Sequence, residues 1–155
     1  MKQQIILLLL LLSLTYSAQS QIDYFDYKER YSLSCGIPDS SEIVRNQLLV
    51  DSLDNLEIGN GRQQYLYDHG WVYYMRYIKW KEKNDLEIAA TSFENGWEEY
   101  QDLNSLWNLG TIYRALGDCD KALKLTDLYI DSIPDSVTVD YKQVYYRYKY
   151  CWKEK

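Results

Sequence analysis

The sequence predicts an all-α fold, and three features predict it. Apolar residues recur at i, i+3, i+4 and i+7 spacing through successive segments of the chain, the period of one helix face. Turn-forming residues separate those segments, at Gly36-Ile37-Pro38, Gly59-Asn60-Gly61, Asn84-Asp85, Gly117 and Pro134. The composition sets only 2 prolines against 17 tyrosines and 5 tryptophans, which suits packed helices with aromatic filling and not a disordered chain.

Taken in order, residues 1–20 read as a signal peptide. Lys2 supplies a positive start, Ile5 to Leu12 is an unbroken apolar run, and Ala18 and Ser20 are small residues placed for cleavage after Ser20. The run falls short of the roughly 20 residues that span a bilayer. With no cysteine beside the cleavage site (Cys35 is the first), a lipid anchor is not expected. The chain is therefore expected to be exported, to a periplasm or outside the cell, with no stable membrane span after cleavage. What remains holds about 135 residues, one domain by length. Without Lys2, 16 basic residues face 23 acidic ones, a formal charge of −7. That balance argues against nucleic acid or an anionic membrane surface as a partner.

Residues 21–38 read as an irregular N-terminal segment, with Tyr24, Phe25, Tyr27 and Tyr31 too loosely spaced for a helix. Asp39 with Glu42 three residues on forms a capping box. The helix it starts carries Val44, Leu48 or Leu49, Leu53 and Leu56, and ends at Gly59-Asn60-Gly61. A second helix is expected from Arg62 to Lys83. Leu66, Tyr73, Tyr77 and Trp80 lie on one face of it and Trp71, Tyr74 and Ile78 on another, so it should touch helices on both flanks. Leu86, Ala89, Ala90, Phe93 and Trp97 mark a third helix reaching Tyr100. Two more run over 103–117 and 118–134, and a closing helix over 137–154 carries Val137, Tyr141, Val144, Tyr145, Tyr148 and Trp152. The expectation is six helices in three antiparallel pairs.

One stretch has a sharper pattern. It reads Leu106-x2-Leu109-Gly110-x2-Tyr113, followed by Gly117, Ala122 and Pro134. Leu106, Leu109 and Tyr113 share a helix face. Gly110 permits close approach of a second helix, on which the small Ala122 can sit opposite. Gly117 ends the first helix, Asp118 caps the next, and Pro134 stops it. This pattern resembles the tetratricopeptide repeat, a helix-turn-helix unit of about 34 residues. The resemblance is clear over residues 103–134, although Thr126 stands where the family usually places Phe. Over 65–101 it is partial: Ala89-x3-Phe93 fits a second helix, but Tyr77 stands where glycine belongs and Arg76 where leucine belongs.

The resemblance implies a short right-handed α-solenoid over residues 39–155, with a C-terminal capping helix covering the last apolar side. It also implies a non-catalytic scaffold that binds another protein or peptide in a concave groove. The groove-facing residues of the clear repeat are Asn104, Trp107, Asn108, Thr111 and Arg114; the alternative for Trp107 is packing between units. Asn108 matches the position where peptide-clamping members hold a ligand backbone. The basic residues of those clamps are absent, with Tyr74 and Ile78 near their places, so an acidic chaperone tail is not the expected ligand. In stacked hairpins the start of a second helix lies beside the end of the next first helix. Cys119 and Cys151 then fit a disulfide, with Cys35 left over; three separate, reduced, buried cysteines are the alternative.

No catalytic constellation is found, so the chain is not expected to be an enzyme or to need a cofactor. His69 is the sole histidine, and its neighbour Asp68 points elsewhere on a helix, so no metal site is expected. Gly59-Asn60-Gly61 lacks the strand and Lys-Ser/Thr of a phosphate loop. A second reading remains: the aromatic run over 65–80 could serve carbohydrate binding or enzyme inhibition. It requires Trp71 and Trp80 to be exposed and coplanar.

Overall fold

The computed structural model describes residues 21–30, 39–134 and Cys151, and the described residues are all-α. In chain order the helices are α1 (Tyr24–Arg30), α2 (Ser40–Asp51), α3 (Arg62–Trp80), α4 (Lys83–Tyr100), α5 (Leu103–Ala115) and α6 (Cys119–Ser132). Each helix from α2 to α6 packs on the next, α1 packs on α3, and α3 also reaches α5. Stacking of sequential neighbours is the arrangement of a helical-repeat-type fold. The leader expected at 1–20 and the closing helix expected over 137–154 lie outside the described residues, apart from Cys151.

Local signals explain most of the helix ends. The Asp39 carboxylate accepts from the Ser41 and Glu42 amides, and Glu42 returns a bond to the Asp39 amide, completing the capping box. Asp102 and Asp118 cap α5 and α6 by the same chemistry. Gly117 has φ +85, as a residue closing a helix in the left-handed region requires. The connections after α3 and α4 are closed without glycine: Lys81 (φ 62) and Gln101 (φ 53) adopt the left-handed conformation there. Gln101 offsets part of that cost by donating its side-chain amide to the Trp97 carbonyl at 3.0 Å.

Three expectations are corrected. The turn expected at Asn84-Asp85 falls at Lys81-Glu82 instead, because α3 ends at Trp80 and Asn84 and Asp85 lie in the first turn of α4. Residues 21–38 are not wholly irregular, because α1 occupies 24–30. The Asp23 carboxylate accepts from the Phe25 and Asp26 amides and starts the helix. The strand-like residue before it pairs with the loop after α2: Ile22 donates to Glu57 O at 2.9 Å and accepts from the Gly59 amide at 3.1 Å. Gly61 (φ +79) makes room for this segment, since a Cβ there would lie 2.9 Å from the Tyr24 Cβ. The third correction concerns α2, which ends at Asp51 and gives way to turns over 52–55. It buries Ile43, Asn46 and Val50; of the expected stripe, Leu49 packs partly buried against the core and Leu53 is buried in the turn that follows, whereas Val44, Leu48 and Leu56 are exposed. The stripe is rotated by about one residue, and α3 selects which side is covered.

The interior divides in two. The first core holds Tyr24, Val50, Leu53, Ile58, Tyr65, Leu66 and Val72. The second holds Tyr73, Leu86, Ala89, Ala90, Phe93, Leu109 and Ile112. α3 contributes to both, as a helix apolar on more than one side must. The approach of α3 to α4 is set at Gly70, where a Cβ would meet the buried Phe93 ring at 2.9 Å. The glycine that the repeat pattern lacks at position 77 is thus supplied two turns earlier.

Candidate functional site

The five residues expected to face a groove all lie on α5. Asn104 is exposed, and Trp107, Asn108, Thr111 and Arg114 are half-buried. The Trp107 ring packs on Tyr129 of α6, with centroids 4.9 Å apart. Gly110 is buried on the same helix, and Ala122 is buried on α6. At the N-terminal ends of α3 and α5, Gln63, Gln64 and Tyr67 join Asp102 and Asn104 around a cavity of about 250 Å³. Gln64 is oriented there by donating its amide to Asp68 at 2.9 Å. Tyr113 is fixed from outside the cavity: its hydroxyl donates to Glu94 at 2.6 Å, and Lys121 lies 3.8 Å over its ring while bonding the same carboxylate.

The aromatic run on α3 is split between core and surface. Trp71 is half-buried against the second core and stacks at 6.5 Å on Tyr67. Trp80 is exposed, with the Arg76 guanidinium 5.5 Å over its ring.

A polar cluster that local sequence reasoning missed sits between α2, α3 and α4. His69, 8% exposed, approaches Asp54 Oδ1 to 3.3 Å through Nε2, and that nitrogen has no hydrogen bond. Its Nδ1 lies 2.6 Å from Ser92 Oγ, and Ser92 donates to the Ile88 carbonyl. Burial holds the His69 pKa below its ordinary value against the pull of Asp54 and Asp51. Tyr65 donates to Asp54 Oδ1 at 2.6 Å and Tyr73 to Asp51 Oδ1 at 2.8 Å. Burial first, then these bonds, push both phenols far above their usual range, so they act as fixed donors. Gln47 links the other Asp51 oxygen to Arg76, which in turn donates to the buried Asp85. The acids around His69 lie on the preceding helix end and turn, out of reach of any local motif.

Asp68 faces the opposite way. Fully buried, it accepts from the Tyr24 hydroxyl at 2.9 Å and from Lys28 at 2.5 Å, and so bolts α1 to α3. Cys119 and Cys151 are joined in a disulfide with Cα atoms 5.3 Å apart, inside the usual range. No helix among the described residues is long and apolar enough to cross a membrane. Comparison with protein-family models, curated proteins and solved structures finds no match to this chain.

Proposed function

We propose that the chain is an exported, tetratricopeptide-like right-handed solenoid that binds an extended peptide or protein segment without covalent chemistry. α3 and α5 would be the first helices of successive units and would line the concave side. The cavity where their N-terminal ends meet carries this reading, because amide side chains from both helices border it. Gln63, Gln64 and Asn104 each offer both donors and an acceptor, the complement of a peptide backbone. Asn108 extends that set one turn along α5, and Trp107 and Arg114 are residue types that dominate binding energy at protein interfaces.

Selection of ligands from a random peptide display library tests the reading. Asn104→Ala and Asn108→Ala should each weaken the selected peptides, and Trp107→Ala and Arg114→Ala should each cost about 2 kcal/mol. Glu87→Ala, at an exposed position of α4, should leave binding unchanged. Selected peptides indifferent to all four α5 variants would remove the groove.

A further inference from the structure

Three possible metal donors converge where the end of α2 meets the middle of α3. One ligand atom from each of Asp51, Asp54 and His69 lies within 4.8 Å of the other two. The histidine is the decisive member. More than nine-tenths buried, it turns the unpartnered Nε2 toward the Asp54 carboxylate. A cation bound by both groups would give that buried nitrogen a partner and would draw on the nearby Asp51 carboxylate as well.

We propose that Asp51, Asp54 and His69 form a binding site for a divalent first-row transition ion, Zn²⁺ foremost, that clips the end of α2 to α3. One imidazole nitrogen with two carboxylate oxygens is a mixed, borderline donor set, matched to Zn²⁺ and its neighbours. Ca²⁺ and Mg²⁺ take oxygen ligands instead, and more of them. The Nε2–Asp54 separation of 3.3 Å is close to the edge of a tetrahedron with bonds of about 2.0–2.1 Å, which measures roughly 3.4 Å. Asp51 offers its oxygen within 4.8 Å of both. The surroundings are those of a supported site. Ser92 orients the imidazole through Nδ1, and Tyr65, Tyr73 and Gln47 hold the carboxylates by hydrogen bonds that leave each a lone pair for the ion. The Asp54 side chain is 46% exposed, so the ion enters from that side and water fills the fourth position. The site stands on α2 and α3, and it holds or falls independently of the α5 groove.

His69 is the only histidine in the chain, which makes the test direct. Tag-free protein with ¹⁵N-labelled histidine, stripped with a chelator, gives a single pair of imidazole nitrogen resonances. Zn²⁺ added alone should shift the Nε2 resonance and saturate at one ion per chain, while Mg²⁺ over the same range leaves it in place. Asp51→Asn and Asp54→Asn keep acceptors for the two tyrosines and should each weaken Zn²⁺ binding by about tenfold or more. With Asp54 half exposed, its variant folds and keeps the test decisive even where His69→Gln does not. An Nε2 resonance unmoved by millimolar Zn²⁺ would overturn the proposal. So would a Zn²⁺ response identical in the parent and both asparagine variants, or an equal response to Mg²⁺.

Discussion

The two halves of the stack hold together by different means. Around the first core, polar groups meet across elements: Tyr24 and Lys28 on Asp68, and Tyr65 on Asp54. Around the second, the interior is Ala89, Ala90, Phe93, Leu109 and Ile112, and contact depends on small residues that let helices close. Directed bonds specify one geometry but leave costly orphans when a partner is lost. Shape-based packing tolerates chemical change and punishes added volume. Each half should therefore fail under a different kind of substitution.

The largest expected effect is at Asp68. Asp68→Ala leaves the Tyr24 hydroxyl and the Lys28 ammonium without their shared acceptor and should cost about 3 kcal/mol in urea unfolding. Exposure of the Lys28 side chain places this at the low end for a broken buried pair. Removing the orphans as well, in Asp68→Leu with Tyr24→Phe and Lys28→Met, should recover most of the loss. A triple variant no better than Asp68→Ala would show that packing, not directed bonding, secures α1.

Gly70→Ala probes the other mode. It adds one methyl group at 2.9 Å from a fully buried ring, so Phe93 must move, at about 1–3 kcal/mol. Pairing it with Phe93→Leu should relieve part of that cost. An unchanged melting temperature for Gly70→Ala would mean that the α3–α4 interface is looser than its shape indicates.

The smallest effect sharpens the boundary between the modes. Glu94 is a polar tie in the apolar half, joining α4 to Tyr113 on α5 and Lys121 on α6. Burial raises its pKa, but those two hydrogen bonds outweigh burial and leave it below 4.5. In that window the unfolded chain binds more protons than the native one. The contribution is thus present above pH 4.5 and lost as pH falls through the lowered value. Glu94→Gln should flatten this part of the stability curve and, at neutral pH, cost less than about 1 kcal/mol because the pair is half exposed. Parallel curves for parent and variant between pH 3 and 7 would assign the acid sensitivity elsewhere.

What could be read from the sequence follows the same division. The helices beginning at Ser40, Arg62, Leu103 and Cys119 announce themselves by apolar period with a cap or a glycine at the start, all local signals, whereas the one beginning at Lys83 shows its period but not its boundary. The pairing of Leu109, Ala89 and Phe93 in one core follows from the same periods. α1 was hidden because its anchors, Asp68 and the loop at 57–60, lie far along the chain. The rotation of α2 was hidden because its apolar residues offer two overlapping faces, and only α3 chooses between them. The cluster at His69 was hidden for a third reason. Reasoning from neighbours tests Asp68, which turns toward Tyr24, and passes over Asp51 and Asp54, which a turn folds back against the ring. On α5, the repeat pattern singled out a face but carried no signal for Gln63 and Gln64, which border the cavity from another helix.

The bond between Cys119 and Cys151 has a mechanical consequence. It closes a covalent ring over a sequence separation of 32 residues. Under tension applied at the two ends of the chain, force passes through the sulfurs and bypasses the backbone between them. At about 3.3–3.6 Å per residue, roughly 110 Å of contour cannot be drawn out until the bond is reduced. A molecule pulled apart under oxidising conditions would therefore be shorter at full extension than its residue number implies, and a cut inside the ring would leave its two pieces tethered.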